Sequence, residues 1–195
     1  MNTYVLATKN EHKAVEMREI LGSAWEIITQ TEAGAGEVEV IEDGNTFEEN
    51  AAKKAETIMR ATGKPCIADD SGLCVDALDG APGVYTARYA GENATNEENI
   101  AKLLQALSGV PKEKRTASFV CVIALAEPGQ KTRLFRGECP GRIAEAPSGK
   151  AGFGYDPIFY AQGYDRTMAE LTAEEKNQIS HRGKALERFC RESER

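Results

Sequence analysis

Short β-branched runs alternate along this chain with segments of helical period, and this alternation limits the fold more than any other feature. "TYVLAT" (3–8) and "WEIITQ" (25–30) read as strands. Between them, "HKAVEMREIL" (12–21) puts Ala14, Met17 and Leu21 on one stripe, with Lys13, Glu16 and Arg18 away from it. Three capping boxes mark later helix starts: Thr46 with Glu49, Thr95 with Glu98, and Thr172 with Glu175. The helix after Thr46 has Ala51, Ala55, Ile58 and Met59 as its apolar stripe and stops at Gly63, just before Pro65. "PCIADDSGLCVDAL" (65–78) reads as a short strand entering an acidic turn. "RTASFVCVIALAE" and "KTRLFRGECPGRIAE" read as two long strands joined by a turn at Pro128–Gly129. "HRGKALERFCRESER" (181–195) reads as a closing helix. The pattern predicts an α/β fold, a mixed sheet covered by helices. No internal repeat or separable linker interrupts residues 1–195, so a single domain is expected, with room for two lobes.

Charge and hydropathy exclude several functions. The net charge of −7 leaves no basic face for a nucleic acid polymer or an anionic membrane, but local lysines could still hold a nucleotide. The longest apolar run, Phe119 to Ala126, is too short to span a bilayer. The opening residues carry no basic-then-apolar signal, so a cytoplasmic location is expected. The five cysteines are widely spaced with no Cys-x-x-Cys, which disfavours disulfides and zinc. Cys66 and Cys121 sit in apolar runs and read as small buried hydrophobes.

Several stretches could carry chemistry. In "ATKNEHK" (7–13) a strand meets a helix through a turn without glycine. A helix start favours an anion, and Thr8, Asn10 and Lys13 could add side-chain donors. Equally, Asn10 could be a simple helix cap and Lys13 a solvated lysine. No Walker sequence occurs elsewhere. In "ADDSG" (68–72) two adjacent carboxylates repel, and Mg²⁺ would relieve the cost; an Asp-rich capping turn is the other reading. "EVEVIEDG" (37–44) could supply another metal carboxylate or be a solvated loop. Asn50 and Lys54, four residues apart, share a helix face. "GFGYDP" (152–157) could stack on a flat ring, or pack Tyr155 on the core. His181 and Arg182 stand at a helix start, where donors could meet keto oxygens or serve as capping groups.

Together, "ATKNEHK", "IEDGNTFEENAAKKA", "ADDSGLCVDALDGAPGVYTARYAG", "GFGYDPIF" and "EKNQISHRGKAL" resemble, in this order and over nearly the whole chain, the inosine triphosphate pyrophosphatase family. The resemblance implies an elongated mixed β-sheet flanked by helices, with two lobes and a central substrate cleft, and a homodimer. It implies Mg²⁺-dependent hydrolysis of ITP, dITP and XTP to the monophosphate and pyrophosphate, removing deaminated purines from the nucleotide pool. By matched position it implies that the turn Thr8, Lys9, Asn10, Glu11, His12 and Lys13 binds the triphosphate. Asp70 would be metal ligand and catalytic base, Ser71 a substrate contact, Glu42 the other metal carboxylate, and Lys54 a catalytic lysine facing the phosphates. Phe153, Gly154, Tyr155 and Asp156, with Lys176, His181 and Arg182, would hold the base. A pyrophosphatase for modified pyrimidine nucleotides fits the base-pocket segments less well. A non-catalytic nucleotide-binding module leaves the acid pair unexplained.

Overall fold

The periodicities above resolve into six strands and five α-helices in a computed structural model that describes residues 3–193. In chain order they are β1 (Thr3–Leu6), α1 (Glu11–Leu21), β2 (Glu26–Thr29), α2 (Phe47–Thr62), β3 (Cys66–Val75), α3 (Asn96–Ala106), β4 (Thr116–Ala126), β5 (Arg133–Ile143), β6 (Phe159–Ala161), α4 (Ala173–Ile179) and α5 (His181–Ser193). The strands form one sheet in the order β2-β1-β3-β4-β5-β6. β1 runs parallel to both β2 and β3, whereas β5 and β6 are antiparallel, so the sheet is mixed, as expected. Among the described residues no helix is long and apolar enough to cross a membrane. The last two residues expected in the closing helix lie outside the described ones.

Local signals account for the helix ends. The side chain of Asn10 accepts from the amide of Lys13 and opens α1, and those of Thr46, Thr95 and Thr172 cap α2, α3 and α4 in the same way. Gly63 ends α2 in the left-handed region, at φ 67°, where a Cβ would be strained.

The chain divides into two compact units. Unit 1 comprises the chain up to Asp70, Cys121–Gly137, and the chain from Arg182 onward. Its core joins Leu6 and Ile67 of β1 and β3, Met17 and Leu21 of α1, Ile123 of β4 and Phe189 of α5. Trp25 covers Phe189 at a ring separation of 4.7 Å. Unit 2 comprises Ser71–Val120 and Glu138–His181. Its core gathers Leu73 and Val75 of β3, Ile100 and Leu103 of α3, Phe119 of β4, and Phe159 of β6. The apolar stripes of α1 and α2 are buried as their spacing predicts, except that Met59 is only half-buried.

Two expectations need correction. First, β3 does not stop at an acidic turn. It runs on through Asp69 and Asp70 to Val75, and the Asp69 carboxylate meets Lys13 and Arg182 rather than capping its own backbone. Second, Lys13 and Glu16 lie away from the apolar stripe of α1 yet are not solvated. Their side chains are only 16% and 14% exposed, because they turn toward an ion cluster within unit 1.

Unit 2 contains a buried arginine that sequence reasoning did not single out. Arg115 donates from Nε, Nη1 and Nη2 to the carbonyls of Val110, Ala144 and Leu107, all at 3.1 Å. It therefore ties the end of α3 to the residue following β5. Arg115→Met should destabilise the protein by about 3 kcal/mol, as expected for loss of several charged hydrogen bonds to buried acceptors; urea denaturation followed by circular dichroism measures this.

Candidate active site

The opening turn is held by its own side chains. β1 ends at Leu6, and the Ala7 amide still donates to the Ile67 carbonyl at 2.8 Å, keeping the turn against β3. The Asn10 amide donates to Thr8 Oγ1 (3.1 Å), and the Lys13 amide to Asn10 Oδ1 (3.2 Å). Asn10 is thus a true helix cap. Lys9, Asn10, Glu11 and His12 are exposed, and Thr8 is half-buried. The helix start faces outward, where an anion could meet it. Lys13 is not a solvated lysine: its ammonium lies 3.0 Å from Asp69 Oδ2.

The acid pair is split by strand geometry. Successive residues of a strand point to opposite faces, so Asp69 and Asp70 diverge. Asp69 is fully buried, with Lys13 at 3.0 Å and Arg182 at 3.2 Å from Oδ2. Burial alone would raise its pKa, but the pull of Lys13, Arg182 and Lys54 outweighs burial and holds it well below the usual carboxylate range. Arg182 is 1% exposed and braced on its other side by Glu16, so its guanidinium stays charged. Asp70 behaves oppositely. It is 7% exposed, and burial pushes its pKa to about 6; Lys54 and Lys13 lower it, while Glu42 and Asp69 raise it. Two neighbours with divergent acidity can take different roles in one site.

Lys54 connects this group to α2. Its ammonium donates to the main-chain carbonyl of Asp69 at 2.9 Å and lies 3.0 Å from Glu42. Burial lowers its pKa, but Asp69, Glu42 and Asp70 together raise it above its ordinary value. Of the two adjacent acids in the 37–44 stretch, Glu42 is the one facing Lys54 and Asp70, whereas Asp43 pairs with the exposed Lys53. Asn50 is buried and accepts from the Gly44 amide at 2.8 Å, pinning the acidic stretch to α2. A Cβ on Gly44 would lie 2.6 Å from Asn50 Oδ1. Asn50 therefore positions this segment, and Lys54 is the member of that helix face with a charge to offer.

These donors suit a hard divalent ion. Among the described residues, no group of three or more His, Cys, Asp or Glu could hold a metal by itself. Mg²⁺ needs fewer, since one or two carboxylates plus water and substrate phosphates satisfy it. Glu42 and Asp70 could serve as such a pair, and Glu42 adds to the cost of charge on Asp70. The thiols of Cys66 and Cys121 are pushed up to about 12 by burial, which removes them as nucleophiles.

In unit 2, Asp156 organises the aromatic loop. Its Oδ2 accepts from the Phe153 amide at 3.0 Å and from Lys176 Nζ at 2.8 Å, and the same ammonium lies 4.8 Å from the Phe153 ring centre. Gly152 has φ 73°, and a Cβ there would fall 2.1 Å from Asp156 Oδ2, so only glycine lets the chain pass. Tyr155 is buried, and its hydroxyl donates to the Thr86 carbonyl at 2.8 Å, so it packs on the core. Phe153 and Gly154 are half-buried. His181 is buried and stacks on Phe119 at 4.8 Å and 12°. Ser71 is half-buried in β3, one residue after Asp70.

The structure thus brings Lys13, Glu42, Lys54 and Asp70 together in unit 1, and Phe153, Asp156 and Lys176 together in unit 2. Arg182 falls in unit 1, against Asp69 and Glu16. Asp69 and Glu16 were missed as site residues. Lys13 and Glu16, three apart on α1, share a helix face, which was the signal for Glu16; for Asp69 it was the acid pair itself.

Comparison with known proteins agrees with these motifs. The Ham1 family model matches residues 4–192. The chain is 54% identical over 187 residues to a dITP/XTP pyrophosphatase of Shouchella clausii, covering 95% of this chain and 93% of that protein. It is 53% identical over 186 residues to the dITP/XTP pyrophosphatase of Geobacter sulfurreducens, covering 95% and 94%. The solved structure of a HAM1 protein from Coxiella burnetii superposes with a TM-score of 0.88 at 48% identity, covering 97% of this chain and 96% of that one. Matched along nearly its full length by sequence and by fold, the chain belongs to the Ham1 family.

Proposed function

We propose that this protein is a nucleoside triphosphate pyrophosphatase that hydrolyses ITP, dITP and XTP to the monophosphate and pyrophosphate, with Mg²⁺ as cofactor. The observation that carries this reading is the placing of two largely buried lysines, Lys13 and Lys54, beside Asp70, whose carboxyl is poised to titrate at about 6. The relatives named dITP/XTP pyrophosphatase supply the substrate class.

In this mechanism Glu42 and Asp70 hold the metal, which neutralises charge on the phosphates when bound. The turn from Thr8 to Lys13 receives the triphosphate. Lys13 and Lys54 stabilise the negative charge that spreads onto the nonbridging oxygens and the leaving pyrophosphate. Asp70 orients the attacking water and accepts its proton. Water attacks the α-phosphorus, and the bond from that phosphorus to the bridging oxygen breaks. Ser71 supports the substrate beside Asp70. Phe153 and Gly154 supply a face for the base, and Lys176 and His181 donate to a 6-keto oxygen. Adenine, which presents an amino group there, leaves those donors unmatched. Arg182 remains a base-selecting residue in this reading on the strength of its matched motif. The working enzyme is a cytoplasmic homodimer, which light scattering coupled to size exclusion tests.

Incubation with ITP, dITP, XTP, ATP and dUTP plus Mg²⁺ tests the reading. Pyrophosphate release with strong preference for the first three is expected; orthophosphate release or equal rates on ATP would overturn it. Lys13→Ala should lower kcat/KM for ITP by about 100-fold, the scale of a lost oxyanion partner.

Asp70 also predicts a conflict between activity and stability. Its carboxyl ionises near pH 4 in the unfolded chain, roughly as a free aspartate side chain does, and at about 6 in the fold. The fold therefore favours the protonated acid; this contribution is complete below about pH 4 and is lost as pH rises through about 6. The metal-free protein should gain about 3 kcal/mol at pH 8 on Asp70→Asn, and about half that at pH 5, while turnover is abolished. Thermal melts in EDTA at both pH values check this. Because the base must be ionised, kcat/KM of the wild type should fall at acid pH, at a value that bound Mg²⁺ lowers from that of the metal-free protein.

A further inference from the structure

The geometry points to Asp69 as a positioning residue that sets both phosphate-facing lysines, Lys13 and Lys54, before any triphosphate arrives. The inference rests on the pyrophosphatase reading and adds to it a residue with no part in metal binding or proton transfer. Asp69 acts through two different atoms. Its side-chain Oδ2 lies 3.0 Å from Lys13 Nζ, and its main-chain carbonyl accepts from Lys54 Nζ at 2.9 Å. Lysines from two different helices are thus held by one residue of β3.

The anchor itself cannot swing. Asp69 is fully buried in the strand, and the same Oδ2 also meets Arg182 Nη2 at 3.2 Å, with Glu16 bracing the far side of that guanidinium. An ammonium has three donors. One is committed to Asp69 in each lysine, which fixes the direction of the others and removes the rotamer freedom a surface lysine loses only on binding. Lys53, the neighbour of Lys54, shows the contrast: it pairs only with the exposed Asp43. Asp69 is badly placed to do anything else. Strand alternation turns it away from the direction of Asp70. Cations already surround it, in Lys13, Arg182 and Lys54.

A merely structural counter-ion would lower stability without acting selectively on phosphate. The decisive measurement is a double-mutant cycle of Asp69→Asn and Lys13→Ala, read on kcat/KM for ITP and on inhibition by tripolyphosphate, a base-free probe. Asp69→Asn should cost about tenfold or more on both readouts and add little once Lys13 is gone. Independent, multiplying losses would overturn the proposal. So would an altered ITP-to-ATP ratio with unchanged tripolyphosphate inhibition. Should Asp69→Asn fail to fold, the wild type decides. Nitrogen-15 NMR of lysine ammonium groups, assigned with Lys13→Arg and Lys54→Arg, should find both ordered and slow to exchange in the free protein. Mobility equal to that of surface lysines would refute it. If wild-type protein leaves ITP intact, the functional reading falls, while the NMR and tripolyphosphate-binding measurements still judge the lysines.

Discussion

A carboxylate with no exposure to water must be matched by cations, and in this protein much depends on how Asp69 is matched. Removing a charge from water costs several kcal/mol, so a buried acid is tolerated only among close, well-directed partners. Lys13 from α1 and Arg182 from α5 provide them, and Glu16 completes the group. Two helices distant in the chain, α1 and α5, are therefore held to one point on β3. Breaking such a cluster from one side is far worse than never forming it, because the remaining charges stay buried.

The cluster also determines what Asp70 can do. With Lys13 and Arg182 drawn toward Asp69, Asp70 receives less compensation for its own burial, and its acidity moves the other way. One residue of the pair is permanently ionised and organises cations; the other is poised near neutrality, as a proton acceptor requires. Two identical side chains acquire opposite character from strand alternation and the distribution of neighbouring charge.

Unit 2 repeats the device on a smaller scale. Asp156 is a buried acid that binds one ammonium, from Lys176, and one amide, from Phe153. Its neighbour Gly152 provides the space for that carboxylate. In both units, then, a buried aspartate arranges a lysine rather than a lysine simply meeting solvent.

Much of this was legible in the sequence, and the limits of legibility have physical causes. Helix starts could be read because capping is local: Thr46, Thr95 and Thr172 each act on an amide three residues away. The mixed α/β sheet followed from alternating periodicity, and the family from motifs whose order spans the chain. The lysine of the opening turn could be named, but its surroundings could not. Nor could the sequence show that β3 continues through two acids, since whether a carboxylate caps a turn or enters a core depends on cations far away in the chain. Lys13, Asp69 and Arg182 are separated by 56 and 113 residues, and no local rule joins them. The sequence alone determined which side chains are available and where helices begin. Only the tertiary structure decided which carboxylate is neutralised and which is left poised, because charge compensation depends on distance in space.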